Sequence, residues 1–581
     1  MKHNSGHVFQ FLISVIGTVG ISLYLENPHD FLNLIIFALL LFLVKNIRLK
    51  TPVSIPALFF SLILSTILVI GKQLDLSGAI IWTFFTLIKI LMFSLAIFPV
   101  TYHLIKWLDS YCPLRSPLLT KKHKLIIFLV FFTTNFLLWL ALYPGIYGWD
   151  SSAHAYQFFY GDLTSHWSVF LGFVFSRILI FGRDVLGSLS AGVALSTFLQ
   201  LVLMSLIYTK IVLFIHQKFR NNYFTLSALL LFTLVLTYGL MTVYTTQDTI
   251  FGGLFALTFI ELYNAFTEKS YWRNKKTPLK FILFSFLMCL CRNNGVYALL
   301  VVVVSALIFT KRNKLKTTLI IAIPIILSFV FSGPVLKILN IPKVDTINEM
   351  MSIPSQQFAK VYNESQKLTA EEKSEIDYFY DTPGKLELYK DLPLLADRTK
   401  ETLNATKISE NPLRYFSLWI RLGISHPRSY LEAFLLNTLG TWYPNKYYYD
   451  ARNNYHPYCE YRMSAIASDW PERPSISEMQ INRESKFPLL EKALSALITS
   501  NKWRELPILS TLYSVGIHFI ILIFTIILYI HQKRKNFLVP LSLIIGLYLT
   551  IFLGPVSVFR YCYPIALVSP ILISSLFCRR N

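Results

Sequence analysis

Long apolar segments dominate the sequence, recurring from Val8 to Phe577 with one interruption between about residues 340 and 505. Hydrophobic residues make up 54% of the chain and charged residues 15%, whereas soluble domains carry about 25% charged residues. A helix needs about 20 mostly apolar residues to cross the hydrocarbon core of a bilayer. The pattern therefore predicts an all-α polytopic membrane protein and excludes a string of soluble domains.

We predict fourteen transmembrane helices from these segments. They are Val8–Leu25, Phe31–Val44, Ser54–Gly71, Gly78–Leu104, Leu125–Leu142, Val185–Ile215, Phe224–Leu240, Thr249–Phe266, Leu279–Cys291, Val296–Thr310, Leu319–Leu336, Leu506–Ile530, Phe537–Leu553 and Cys562–Phe577. A further apolar segment, His166–Phe181, is about long enough to cross the membrane. Its placement depends on the charges of the loops around it.

Short loops rich in Lys and Arg remain in the cytoplasm. With the N-terminus inside and His166–Phe181 not counted as a crossing, the predicted inner segments hold 26 Lys and Arg residues against two acidic ones, Asp109 and Glu268. Counting His166–Phe181 as a crossing would invert every later loop. We therefore predict a half-buried or re-entrant helix on the outer face, with both termini on the inner side of the cytoplasmic membrane.

The net charge of +22 follows from this topology and does not indicate nucleic-acid binding. The insertion at 340–505 holds 21 basic and 22 acidic residues, so it contributes −1 and the rest of the chain +23. The chain accordingly divides into an N-terminal four-helix membrane region (1–124), a membrane module with its first outer loop at 143–182 (125–339), the insertion (340–505) and three C-terminal transmembrane helices (506–581).

The insertion is predicted to be an extracytoplasmic, mainly helical domain. Thr369 and Glu372 have the spacing of a capping box, and Arg414–Leu422 and Tyr430–Leu439 are amphipathic. An aromatic-rich stretch that begins near Trp442 is typical of a membrane interface, and stacking on sugar rings is the alternative.

Four polar clusters fall on the predicted outer face, at the ends of spans. They are the first loop, with Tyr147 and Asp150 in YPGIYGWD (143–150) followed by His154 and His166; Gln247 and Asp248 at the start of the eighth span; Arg292 and Asn293 in the hairpin CRNNG (291–295); and Arg560 and Tyr561 in FRYCYP (559–564). Singly, each could be a helix cap, a turn or a snorkelling side chain. Together, two carboxylates, two arginines and two histidines on one face favour a common site.

This set of side chains suits group transfer from a lipid that carries a phosphate. Guanidinium groups bind phosphate bidentately, and a carboxylate can accept a proton from an attacking hydroxyl. The sequence has no Gly-rich phosphate loop, GxSxG elbow, HExxH motif or EF-hand pattern, so it offers no basis for soluble-cofactor chemistry. Its six cysteines lack metal-ligand or redox spacing and imply no disulfide framework.

The order of these motifs resembles the GT-C membrane glycosyltransferases, and more narrowly an uncharacterised bacterial branch of that superfamily. The likeness rests on YPG…WDS followed by His, QD-x-x-F, R-N-N-G-x-Y-A and R-Y-x-x-P, with support from SIPSQQ (352–357) and GISHPRSY (423–430). It covers the chain from about Leu125 to the C-terminus and leaves out the first four spans.

The resemblance implies transfer of a sugar from a polyprenyl-phosphate donor to a cell-envelope glycan or lipid acceptor on the outer face. It implies that Asp150 is the catalytic base. The expected site comprises catalytic Asp150, His154, His166 and Asp248, donor-phosphate contacts from Arg292, Asn293, Arg560 and Tyr561, and substrate contacts from Gln247, Tyr147 and Trp442. No cofactor is expected; a divalent cation held by an aspartate pair is the alternative.

Two departures from the family pattern affect the expected roles of Asp248 and His166. Many relatives have Lys or another charged residue at the position of Gln247, and His-Pro where this chain has His166-Trp167.

Two other functions remain open. A transporter or lipid flippase would also be polytopic and would place ionisable residues near mid-span, for which Glu261 and Lys89 are the candidates, but no repeat symmetry is evident. A polysaccharide polymerase or ligase would share the chemistry and use a lipid diphosphate donor. The sugar, the acceptor and the stereochemical outcome are open as well.

Overall fold

The computed structural model describes residues 2–48, 51–111, 115–147, 151, 163–268, 271–273, 276–310, 313–343, 346–364, 368–390, 393–445, 484–500 and 506–577. Regular structure within these residues is helical, apart from three isolated pairs of extended residues. The predicted all-α class is therefore confirmed for the described part of the chain.

The α-helices follow the apolar pattern of the sequence. They are α1 (Lys2–Leu25), α2 (Leu32–Val44), α3 (Ser54–Ser77), α4 (Phe84–Ser110), α5 (Lys121–Ala141), α6 (Val169–Val185), α7 (Leu189–Phe219), α8 (Asn222–Leu234), α9 (Leu236–Thr242), α10 (Gln247–Thr267), α11 (Lys276–Cys291), α12 (Asn294–Phe309), α13 (Lys314–Val330), α14 (Leu336–Ile338), α15 (Ile347–Met350), α16 (Ser352–Glu364), α17 (Ala370–Tyr378), α18 (Asp397–Lys400), α19 (Ala405–Glu410), α20 (Pro412–Ser425), α21 (Pro427–Asn437), α22 (Leu439–Trp442), α23 (Pro488–Ser500), α24 (Pro507–Tyr513), α25 (Gly516–His531), α26 (Leu538–Phe552) and α27 (Phe559–Leu576).

Eight helical segments of the described chain are long and apolar enough to cross a membrane, or nine if the bent pair α8 and α9 forms one span. Four further apolar helices are shorter, with 10 to 17 residues. The chain is thus a multi-helix membrane protein, while the count of fourteen spans stays a prediction. The segment predicted as one span at 506–530 is divided into α24 and α25, and the one at 224–240 is bent by 65° between α8 and α9.

The helical hydrogen bonds are interrupted between α9 and α10, and one side chain binds three carbonyl groups at this break. Gln200 donates through Nε2 to the carbonyl oxygens of Met241, Thr242 and Tyr244, at 3.4, 3.0 and 2.8 Å. A broken helix is tolerated at membrane depth where neighbouring side chains satisfy its backbone in this way.

Helix ends segregate to two opposite faces of the bundle. On one face, which we call the basic face, the Ser116 N–H donates to the Arg220 carbonyl at 2.5 Å, and Lys218 lies 2.5 Å from Glu268. His531 joins the same face through a contact of 2.9 Å with Asp109. The opposite face carries Asp248 and is called the site face below.

Helices α10 and α27 lie in the centre of the bundle, because they are the most deeply buried of the candidate spans. Their contact is close: a Cβ at Gly252 would lie 2.6 Å from the ring of Tyr563. The hydroxyl of Tyr563 is 2.6 Å from that of Tyr208, which donates to the Tyr238 carbonyl. The helices that begin near Asp248 and Arg560 are therefore held by both packing and buried hydrogen bonds.

Helix α6, predicted to lie on the outer face, contacts the site face at both ends. Ser168, its N-cap residue, donates to the carbonyl of Leu290 at 2.7 Å, near the end of α11. At the other end, a Cβ at Gly182 would lie 2.2 Å from the backbone of Gly192, in the first turn of α7.

The insertion has a hydrophobic core of its own, centred on Phe358, Phe379 and Tyr415. The predicted capping box is confirmed, since Thr369 and Glu372 each accept a hydrogen bond from the other's backbone N–H, both at 3.1 Å. The segment 484–500 packs elsewhere: the Lys486 N–H donates to the carbonyl of Leu140 near the end of α5, at 2.8 Å.

The N-terminal region is joined to the insertion by hydrogen bonds to a buried ion pair of the insertion. Lys360 Nζ lies 3.2 Å from Glu432 Oε2 and donates to the carbonyl of Gly78 at 3.2 Å. Glu432 Oε1 accepts from the Ile80 N–H at 2.9 Å and from Trp82 Nε1 at 2.7 Å. Both partners of the ion pair are thus satisfied from the loop between α3 and α4.

Candidate functional site

The centre of the site is Asp248, in the first turn of α10. Thr246 is the N-cap residue of this helix: its Oγ1 accepts from the Asp248 N–H at 3.3 Å and donates to Asp248 Oδ2 at 3.0 Å. A carboxylate in the first turn is favoured by the unpaired N–H groups at the helix N-terminus. The side chain of Asp248 is only 1% exposed.

Two arginines from other parts of the chain converge on this carboxylate. Arg292, which follows α11, donates through Nη1 to Asp248 Oδ1. Arg560, in the first turn of α27, has its Nε 3.7 Å from Asp248 Oδ2, an ionic contact longer than a hydrogen bond. The two arginine side chains are 19% and 13% exposed, so solvent reaches them and hardly reaches the carboxylate.

Tyr561 supplies an aromatic face to both arginines. The guanidinium carbons of Arg292 and Arg560 lie 4.7 and 5.1 Å from the centroid of its ring, within cation–π range. The ring also packs against Val556 and Val558, just before α27. We refer to Asp248, Arg292, Arg560 and Tyr561 as the ionic cluster.

The first loop of the membrane module reaches the segment that leads into α10. Ser151 Oγ donates to the carbonyl of Thr245 and lies 2.7 Å from its hydroxyl. The Thr245 N–H in turn donates to the Ile146 carbonyl at 3.0 Å. Asp150 and His154, two of the three first-loop residues predicted to be catalytic, lie outside the described residues.

Tyr147 is buried at the start of this loop and donates to the Ser151 carbonyl at 3.5 Å. Burial raises the pKa of its phenol, so the hydroxyl keeps its proton. Helix α5 ends at Ala141, just before Pro144 and Gly145. Gly145 has a φ of +126°, and a Cβ there would lie 2.5 Å from Thr197.

Gln247 precedes Asp248 in the chain, and both Gln247 and His166 have described contacts outside the ionic cluster. Gln247 Oε1 accepts from the Ser168 N–H at 3.4 Å, which joins the start of α10 to the start of α6. His166 is exposed, and its ring meets that of Trp167 edge to face, with centroids 4.5 Å apart. Its neighbour Ser165 donates its N–H to the carbonyl of Pro342 at 3.1 Å, where the insertion begins.

Asn293 and Trp442 are not joined to the cluster by their described contacts. Asn293 precedes α12, is exposed and makes no side-chain capping bond. The next residue anchors the hairpin instead, since Asn294 Nδ2 donates to Thr550 Oγ1 at 2.8 Å. Trp442 is buried beside Tyr443 in the contact between the insertion and α3, and its Nε1 donates to Thr438 Oγ1 at 3.2 Å.

Sequence reasoning missed the polar residues that hold the insertion next to Arg560. Asn437 Nδ2 donates to the carbonyl of Gly554 at 2.9 Å, and the backbone carbonyl of Asn437 accepts from Ser557 Oγ at 2.9 Å. Gln356 Nε2 extends this network to Asn437 Oδ1 at 3.4 Å. The SIPSQQ motif, which contains Gln356, was a sequence signal that could have indicated this network. No sequence motif pointed to Asn437.

The described residues include no group of three or more His, Cys, Asp or Glu side chains that could hold a metal ion. The charged groups brought together are one carboxylate and two guanidiniums, which suit an anionic ligand better than a cation.

The fold and the site define an all-helical membrane protein with an ionic cluster at the ends of its central helices. The chain belongs to a family of unknown function, DUF6020, whose model matches residues 160–581. The matched range contains Asp248, Arg292 and Arg560 and leaves out Asp150 and His154. No curated protein and no solved structure matches the chain.

Proposed function

We propose that this protein is a membrane glycosyltransferase that transfers a sugar from a polyprenyl-phosphate donor to a cell-envelope acceptor on the outer face of the cytoplasmic membrane. One observation carries the proposal: two arginines, one from the turn after α11 and one from α27, converge on one buried carboxylate and remain partly exposed. Such a pair is suited to hold the phosphate of a lipid whose tail lies among the membrane helices.

The chemistry of the guanidinium group favours phosphate as the ligand. Its planar N–H groups bind two phosphate oxygens at once, and it keeps its charge in a partly desolvated site. The ring of Tyr561 restricts both arginines further through cation–π contact. A ligand at the exposed sides of Arg292 and Arg560 would find them already oriented, which lowers the entropy lost on binding.

Asp248 orients the arginines in this proposal and is not the base. Its two oxygens are engaged by Arg292 and the Thr246 hydroxyl, and its 1% exposure leaves no path for an acceptor hydroxyl. A general base must come within hydrogen-bond reach of the proton it removes. The base role therefore stays with Asp150, as the resemblance implies.

In the transfer step the acceptor hydroxyl attacks the anomeric carbon, and the bond from that carbon to the phosphate oxygen breaks. The hydroxyl proton passes to Asp150, and polyprenyl phosphate leaves, its charge stabilised by Arg292 and Arg560. The inner placement of the Lys- and Arg-rich loops supports the outer location of the site.

The test is donor turnover by purified protein in nanodiscs. Polyprenyl monophosphate sugars are supplied with a mixed cell-envelope glycan fraction, and release of polyprenyl phosphate is measured. We expect release by the native protein and a 10- to 100-fold weaker donor affinity for Arg292→Ala, since losing a hydrogen bond to a charged group costs about 1.5–3 kcal/mol. Arg292→Lys should recover only part of it.

Arg183→Ala is the matched control, because Arg183 is exposed and pairs with its neighbour Asp184. It should leave donor affinity unchanged. Binding of polyprenyl diphosphate sugars alone would favour the polymerase or ligase alternative. An unchanged donor affinity in both Arg292→Ala and Arg560→Ala would remove the ionic cluster from the site.

A further inference from the structure

Helix α20 of the insertion presents an apolar surface on the side away from its own core. Its buried face consists of Tyr415, Leu418 and Leu422. At 100° per residue the opposite side carries four large apolar residues, Leu413, Phe416, Ile420 and Ile424, which are 83%, 41%, 53% and 76% exposed. A third side carries the exposed polar residues Arg414, Ser417, Arg421 and Ser425.

A helix that packs on a soluble domain normally turns a polar side to water. Here the side opposite the core is a continuous row of branched and aromatic residues, named the α20 stripe after Leu413, Phe416, Ile420 and Ile424. A row of this kind marks a surface that is covered in the working protein. The remaining question is which kind of partner covers it.

The next helix connects the α20 stripe to the membrane-spanning part of the protein. Helix α21 begins beside Trp82, because the guanidinium carbon of Arg428 lies 5.8 Å from the Trp82 ring and Glu432 accepts from its Nε1. Further along, Leu436 packs in one cluster with Leu74 of the spanning helix α3. Helix α21 thus runs from the insertion into the membrane region.

Exposed apolar residues flank Trp82, the residue beside which α21 begins. Ile81, Phe84 and Phe85 are 55%, 76% and 57% exposed at the start of the spanning helix α4. A single residue separates the end of α20 from the start of α21, so the last residue of the stripe, Ile424, is four residues along the chain from Arg428, which contacts Trp82.

We propose that the α20 stripe lies on the adjacent leaflet of the membrane, with its apolar residues among the upper parts of the acyl chains. Arg414 and Arg421, on the neighbouring polar side, then reach the headgroup region, where basic side chains flank interfacial helices. Both also contact Glu375 of the insertion, which holds the helix to its domain. The insertion is thereby fixed against the bilayer independently of any substrate.

The test is spin-label accessibility in liposomes of zwitterionic and anionic phospholipid at a ratio of about three to one. Cys112, Cys459 and Cys578 are replaced by Ser, and the buried, free cysteines at 289, 291 and 562 are kept. Labels are placed by Ile420→Cys on the stripe and by Ser417→Cys on the exposed polar side of the same helix. The parent without an added cysteine must take up no label.

We expect the label at 420 to collide more often with oxygen, which concentrates in lipid, than with a water-soluble nickel chelate. The ratio of the two rates should be several-fold higher at 420 than at 417. A ratio at 420 as low as that of a label in water would show that the stripe faces water and would overturn the proposal. Protection of position 420 from both reagents would overturn it too, because a second copy or another protein would then cover the stripe. Phe416→Cys repeats the test at a second stripe position.

Discussion

The pairing of Arg292 with Asp248 can be tested by a double-mutant cycle of Arg292→Ala and Asp248→Ala. If the two side chains act as one unit, removing either should leave a charge without its main partner. Removing both should then cost much less than the sum of the single changes.

The magnitudes follow from the burial of each partner. Arg292→Ala leaves the carboxylate of Asp248, 1% exposed, with Arg560 at 3.7 Å as its remaining counter-charge. Breaking a buried pair costs about 3–5 kcal/mol, and the second arginine places this case near 3. Asp248→Ala leaves guanidiniums that solvent still reaches, so about 2 kcal/mol is expected. The double variant should be about as stable as Arg292→Ala alone, at a cost of about 3 kcal/mol. Since the two single changes add up to about 5 kcal/mol, the coupling energy is about 2 kcal/mol.

The free energy of unfolding is measured by titration with a denaturing detergent in mixed micelles and followed by tryptophan fluorescence. Arg183→Ala and Asp184→Ala form the control cycle, because they remove the same residue types from a pair whose side chains are 52% and 53% exposed. That cycle should show almost no coupling. Additivity of the Arg292 and Asp248 changes within about 0.5 kcal/mol would refute the reasoning.

Two further predictions address the catalytic base and the packing of the insertion against α25. Asp150→Asn should keep donor binding and lower turnover by about 10²- to 10⁴-fold, the usual contribution of general acid–base catalysis. Asp162→Asn, which changes the other aspartate of the first loop at 143–182, is the control and should have little effect on turnover. Equal losses in the two variants would mean that the base is misassigned. Gly516→Ala should lower the free energy of unfolding by about 1–3 kcal/mol, because its Cβ would lie 2.6 Å from the backbone of Tyr443, while Gly384→Ala, with nothing within 4 Å of its Cβ, should be neutral.

The sequence predicted that the charged residues of the cluster share a face, because loop charge is a local property that reports topology. Asp248, Arg292 and Arg560 do meet at one face. Their pairing could not be predicted, since it depends on the rotation of each helix about its axis. A shift of one residue along a helix corresponds to about 100° of that rotation. This explains why Asn294 forms the hydrogen bond with Thr550, whereas the neighbouring Asn293 was the residue expected to contact the donor.

Other differences arise from tertiary contacts that leave no local signal. The bend at Val235 has neither proline nor glycine at the break, and the apolar pattern runs through it unchanged. Trp442 was expected at an interface or on a sugar. It is instead buried in the contact between the insertion and α3, because α21 and α22 continue into the membrane region.

The buried pair of Lys360 and Glu432 determines the smallest piece of this protein that can be expected to fold. The family model begins at residue 160, yet Lys360 and Glu432 complete their hydrogen bonds with Gly78, Ile80 and Trp82. A fragment trimmed to the matched residues would leave these two charges with fewer hydrogen-bond partners. It would also expose the apolar surface that the missing helices cover. Expression and reconstitution should therefore start from the whole chain, with the first four helices treated as part of the scaffold.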